Sequence, residues 1–217
     1  MKRFAVSGIW ILAAIGALLL TSCSRDPNSR KTAFLNNGKR YHTAGKYEEA
    51  VIEYRNAIQI DPRFAEAHYQ IGQAYLSLGK SDLAFQEFTT VVALDPANRD
   101  AKLRLASMLV IRRRFSEAET MAKSVALADP SNVRAHMVLG EKFAATHDFP
   151  EAIQEFQKAV AINPKAVETY VALAAIYSAA GQMSEAETVY KNAIAANPQS
   201  SSARLASARF YFSRQKL

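Results

Sequence analysis

The chain has 217 residues, 49% hydrophobic and 22% charged, with a formal net charge of +7 at pH 7. Its one cysteine, Cys23, excludes an intramolecular disulfide and any CxxC metal or redox site. The run Arg112-Arg113-Arg114 has no aromatic residues interleaved with it to stack bases, so it does not point to nucleic acid.

Met1, Lys2 and Arg3 make a short basic start, and an apolar run extends from Phe4 to Leu20. Leu20, Thr21, Ser22 and Cys23 come next. That order resembles the bacterial lipoprotein signal, in which a small-residue site precedes a cysteine that is lipidated and becomes the new N-terminus. The resemblance implies removal of residues 1–22, lipidation of Cys23 and a tether over residues 23–30. The competing reading is an uncleaved membrane helix, for which the run is marginal, since a span needs roughly 20 apolar residues. By the same resemblance, Ser24 after the cysteine permits outer-membrane sorting. The expected place is the bacterial cell envelope, lipid-anchored at the outer membrane and facing the periplasm. Extended, residues 24–30 reach at most about 25 Å, which would hold the remainder of the chain near the membrane surface.

From Lys31 the chain keeps a period of 34 residues. Proline recurs at Pro62, Pro96, Pro130, Pro164 and Pro198, and alanine at Ala50, Ala84, Ala118, Ala152 and Ala186. With Lys31 as position 1, five units cover 31–64, 65–98, 99–132, 133–166 and 167–200. Residues 201–217 are a capping helix or a truncated sixth unit, and the latter is favoured. A fixed period of this length marks stacked units rather than one globular core. Position 8 is always small (Gly38, Gly72, Ala106, Gly140, Ala174, Ala208), which lets two helix backbones approach closely. Positions 11 and 24 are mostly bulky and aromatic, as at Tyr75, Phe143, Tyr54 and Phe156, and fill the space between helices. Each unit closes on Asp-Pro or Asn-Pro, so its second helix must end there, and the proline is placed to open the next unit. Ser116 and Ser184 are expected N-caps of second helices, and Pro150 fits a first helical turn. Each unit is therefore predicted to be a hairpin of two short helices.

Leu139-Gly140, Phe143, Ala152, Phe156 and Pro164 resemble the signature of the tetratricopeptide repeat family. The third unit departs most, with Lys102, Ala106, Leu109 and Ala122, and is expected to stack least tightly. The resemblance implies an all-α fold, a right-handed superhelical solenoid of five complete repeats plus a final half repeat. It says little about function, because one scaffold serves many partners.

No catalytic constellation appears. The four histidines form no H-E-x-x-H, and no G-x-S-x-G, Walker or Rossmann pattern occurs. His68 and His136 both fall at position 4, where the family places an aromatic packing residue, and are read as half-buried rings in the helix pair. Neither a cofactor nor a metal nor a small-molecule substrate is expected.

Two features stand above this background. In the family, position 5 lines the concave face, and here it reads Leu35, Tyr69, Leu103, Met137, Val171 and Leu205, apolar throughout. Position 9 adds polar spots at Lys39, Gln73 and Glu141. An apolar floor with polar spots suits an extended or helical peptide. The competing reading is that position 5 is buried by its own stack. The second feature is Arg112-Arg113-Arg114, in the turn of the third unit. It is either a solvated run or a contact for an anionic partner such as lipid headgroups. The lysines with which chaperone-binding members hold a C-terminal carboxylate have no counterpart at position 5.

The expected function is a membrane-anchored interaction scaffold, not an enzyme, that holds a protein or peptide in its groove. It would help assemble or localise a cell-envelope complex, with no nucleic-acid partner. By resemblance, the contexts are secretin assembly in type IV pili and exosortase-linked polysaccharide export. The competing class is a substrate-docking arm of a larger envelope enzyme, and a third possibility is a structural spacer.

Overall fold

The computed structural model describes residues 26–214, which consist of helices and turns. Cys23 and the apolar run before it lie outside the described residues. Eleven helices occur among them: α1 (Pro27–Thr43), α2 (Tyr47–Ile60), α3 (Ala65–Ser77), α4 (Ser81–Leu94), α5 (Arg99–Ile111) and α6 (Phe115–Ala128) come first. They are followed by α7 (Val133–Ala145), α8 (Phe149–Ile162), α9 (Val167–Ala179), α10 (Met183–Ala196) and α11 (Ser201–Arg214). First helices from α3 to α9 run from position 1 to position 13, and every second helix runs from position 17 to position 30. No described helix is long and apolar enough to cross a membrane.

Two compact units divide inside α4, between Glu87 and Phe88. In the first, α1 pairs with α2, and α3 packs on α2. In the second, α5 pairs with α6, α7 with α8 and α9 with α10, each pair packs on the next, and α11 closes on α10.

The punctuation has a specific cause at each end of a hairpin. At position 31 the side chain accepts a hydrogen bond from the backbone N–H two residues on: Arg63 to Asp61 at 3.0 Å, Ala97 to Asp95 at 3.1 Å, Ser131 to Asp129 at 3.2 Å and Lys165 to Asn163 at 3.2 Å. Only Asp or Asn makes this local turn well, which explains why one of them precedes each proline. The prolines sit in the turn itself rather than opening the next helix, which starts three residues later. Asn98 and Asn132 then cap α5 and α7, each accepting from an N–H three residues ahead at 3.0 Å. Ser116 and Ser184 are not caps: α6 and α10 already begin at Phe115 and Met183, so both serines lie inside the first turn.

Inside each hairpin the first helix ends on a left-handed residue at position 15. Gly45, Gly79 and Gly181 take φ of 73°, 69° and 79°, and Arg113 and His147 take 61° and 64°. The following N–H reaches back five residues, as in Lys80 to Tyr75 at 2.8 Å and Arg114 to Leu109 at 2.9 Å, and satisfies carbonyls that the helix leaves open.

Packing within a hairpin centres on positions 8 and 24. A Cβ added at Gly38 would lie 2.3 Å from Tyr54 Cε1, and one at Gly140 would lie 2.7 Å from Phe156 Cε2. The missing side chain is the room the ring occupies. The third hairpin has small residues at both positions, Ala106 and Ala122, and both are fully buried where the first and fourth hairpins set a glycine against a ring. Positions 1 and 31 add an ion pair across the open end, Lys31 to Asp61 at 2.6 Å and Arg99 to Asp129 at 3.4 Å. The hydrogen bond from Lys31, helped by the Arg63 N–H, holds the Asp61 carboxyl below its usual value.

Candidate binding face

Position 5 does not form one uniform floor. Leu103 is fully buried and Leu35 is 6% exposed, so neither is available to a ligand. Tyr69, Met137 and Val171 are half-buried, while Leu205 is 53% exposed. Helix geometry gives the reason: three residues turn a side chain by about 300°, so position 5 lies only about 60° from the seam at position 8. How much of it stays open is then set by the neighbours of each hairpin.

In the second unit the first helices lie side by side and share this face. Ser107 Oγ donates to Glu141 Oε2 at 3.3 Å, one position-9 residue to the next, and Thr169 Oγ1 lies 3.8 Å from Met137 Sδ. Arg134, Met137, Glu141 and Ala144 fall on one stripe of α7, because residues three, four and seven apart share a helix face. Glu141 is exposed, yet protein surrounds its carboxyl closely enough to raise its pKa through lost hydration. The hydrogen bond from Ser107 and the charge of Arg134 pull the other way. A carboxyl that water reaches and is still partly desolvated belongs to a recessed surface. In the first unit, Lys39 is exposed and paired with Glu66 at 2.9 Å, and Gln73 is half-buried.

The arginine turn is less open to an anion than its sequence suggests. Arg114 donates from Nε and Nη2 to the two oxygens of Glu117 at 2.6 and 2.7 Å, a bidentate pair. Arg112 is half-buried, with an interaction of its own. Arg113 is exposed, and its left-handed backbone sets it at the tip.

His68 and His136 are more than packing residues. His68 Nδ1 lies 2.6 Å from Glu87 Oε2 and its Nε2 lies 3.1 Å from the Pro62 carbonyl. His136 repeats this with Glu155 at 2.6 Å and the Pro130 carbonyl at 3.1 Å. Both partners of the His68 ring are acceptors, and a ring that donates from both nitrogens is an imidazolium. The bond to Glu87 raises the His68 pKa above 6.5, against the effect of burial, and the Pro62 carbonyl adds to it. Burial alone would raise Glu155, but the bonds from His136 and Lys158 outweigh it and hold the carboxyl low. These staples join two helices to the turn before them. The signal was in the sequence: Glu87 and Glu155 each follow their histidine by 19 residues. In the first hairpin position 23 is Glu53 but position 4 is Phe34, and Glu53 Oε2 is buried without a hydrogen-bond partner.

Among the described residues no group of His, Cys, Asp and Glu could hold a metal ion. What the geometry offers is a surface: hairpins of fixed period that leave one face of their first helices open, the arrangement of an interaction scaffold.

Comparison with known proteins agrees. Models described as tetratricopeptide repeat match residues 65–98, 103–167 and 143–209, and one described as TPR repeat matches 38–79. The chain belongs to the tetratricopeptide repeat family. Among solved structures it is similar to TTC0263, a thermophilic TPR protein of Thermus thermophilus, at 23% identity and a TM-score of 0.69, covering 84% of this chain and 99% of that one. It is similar to pilF of Pseudomonas aeruginosa at 20% identity and a TM-score of 0.69, over 88% of this chain and 87% of that one. YrrB, described as a TPR protein with an unusual peptide-binding site, aligns at 19% identity and a TM-score of 0.61, over 81% and 90%. At these identities the likeness establishes the fold. No match is found among curated proteins.

Proposed function

We propose that the protein is a membrane-anchored adaptor of the bacterial envelope that holds a protein or peptide segment on the open face of its first helices. The observation that carries this reading lies in the second unit, where the position-5 side chains Met137, Val171 and Leu205 are left accessible beside Glu141 at position 9. Burial of such a row by an incoming segment removes apolar surface from water, at about 25 cal/mol per Å². The peptide-binding site named for YrrB supports a peptide as the bound species. The anchor rests on the lipoprotein-like order ending at Cys23, which would place the repeats at the outer membrane, facing the periplasm. Secretin assembly and polysaccharide export are the pathways in which to seek the bound protein first.

Two experiments test this. Growth with an alkyne fatty acid should label the wild-type chain and not Cys23→Ala; equal labelling of both refutes the anchor. Affinity capture from solubilised envelopes should recover a partner with the wild-type chain and lose it with Met137→Glu combined with Leu205→Glu. Leu103 is left intact, because its burial would turn a glutamate there into a folding defect. Identical capture by a folded double variant refutes the binding face.

A further inference from the structure

Resting on the binding face just proposed, the charge pattern narrows what it accepts. In the rows at positions 5, 9 and 12 of α5, α7, α9 and α11, the charged residues are Glu141 and Arg209. The rest are apolar or small and uncharged, among them Met137, Ala144, Val171, Ala175, Leu205 and Phe212. Ala175, Leu205, Arg209 and Phe212 are all exposed, and Met137 and Val171 are half-buried. Glu141 accepts a single, long hydrogen bond, from Ser107. An ionised carboxylate has about four acceptor sites, so most of its capacity is unused. Arg134 lies two turns away on the same stripe and lowers the cost of the charge without forming an ion pair. Arg209 is exposed on α11, four residues after Leu205 and so on the same side of the helix.

We infer that this face selects an extended apolar segment carrying one basic and one acidic residue, the basic one on Glu141 and the acidic one on Arg209. The spacing comes from the repeat. Glu141 and Arg209 occupy the same position two repeats apart, and neighbouring helices pack about 8–10 Å apart, which separates them by roughly 20 Å. An extended chain advances about 3.3–3.6 Å per residue, so the two charges sit about six residues apart. Apolar residues between them cover Val171 and Ala175. A segment with two basic or two acidic residues at that spacing meets a like charge at one end, Arg209 or Glu141, and loses one of the two ion pairs.

The test uses four fluorescent nine-residue peptides of leucine and alanine with charged residues at the second and eighth places. They read Lys and Asp, Asp and Lys, Lys and Lys, and Asp and Asp. Anisotropy titrations on the full chain in detergent should show one mixed-charge peptide binding about ten-fold tighter than both like-charged ones, through two partly screened ion pairs. Glu141→Arg should make the Asp and Asp peptide the tightest. Glu141→Gln with Arg209→Gln should level all four. Equal binding of the four to the wild-type chain, still abolished by Met137→Glu, overturns the charge selection and leaves the binding face standing. Binding of none, by protein with an unaltered circular dichroism spectrum, overturns both.

Discussion

Gly140→Ala should destabilise the fourth hairpin, although alanine is the better helix former. The new Cβ would lie 2.7, 2.8 and 3.0 Å from Cε2, Cδ2 and Cζ of Phe156, where carbon atoms rest at about 3.5–4.0 Å. The ring is 2% exposed, inside a protein interior that packs as densely as an organic crystal. Overpacking of this kind costs about 1–3 kcal/mol, and replacing a helical glycine by alanine returns about 1 kcal/mol. The net expectation is a loss of up to about 2 kcal/mol. At about 2–4 °C per kcal/mol for a chain of this size, the melting temperature followed by circular dichroism should fall by several degrees. The decisive comparison is the same substitution in a Phe156→Ala background. There the ring is gone, the site becomes the Ala106 and Ala122 pair of the third hairpin, and Gly140→Ala should stabilise by about 0.5–1 kcal/mol. An equal loss in both backgrounds would refute the ring contact as the cause.

Other substitutions separate backbone from packing effects. Gly181→Ala has open space around its Cβ but a φ of 79°, so it should cost about 1–2 kcal/mol through the backbone alone; a neutral melting temperature would contradict that. Arg113→Gly relieves the same strain, less the entropy glycine brings to the unfolded chain, and should stabilise by about 0.5–1 kcal/mol in urea titration. His68 supplies a pH dependence of definite sign. Its native pKa is raised above the 6.5 of the unfolded chain, so its contribution is complete below pH 6.5 and is lost as pH rises through the native value. His68→Phe should flatten that slope, and an NMR titration of the ring at or below 6.5 would contradict the staple.

The helix hairpins were legible because their boundary residues act locally. Asp61, Asp95, Asp129 and Asn163 turn the chain through their own side chains, and the proline after each blocks continuation, so no distant contact needed to be known. The serine caps failed for a complementary reason: position 16 already closes the left-handed turn after position 15, and the helix starts one residue before Ser116 and Ser184. The binding face was half legible. Periodicity puts position 5 close to the seam but does not show how far the neighbours of each hairpin cover it, so Leu103 and Leu205 read alike and differ completely in exposure. The histidine staples and the Arg114–Glu117 pair depend on which side chains meet across a turn or a hairpin. A reading by residue type and position takes each histidine alone and the three arginines as one run, without their carboxylate partners.

The central claim is that the open face of the first helices binds a protein segment. It is tested most directly by a photocrosslinking residue at Met137 in the native cell envelope, with Leu127 as control. Leu127 is 83% exposed, on a second helix away from that face. One dominant protein crosslinked from Met137 and absent from Leu127 is the expected result. The same products from both positions, or none from Met137 in folded protein, would contradict the claim.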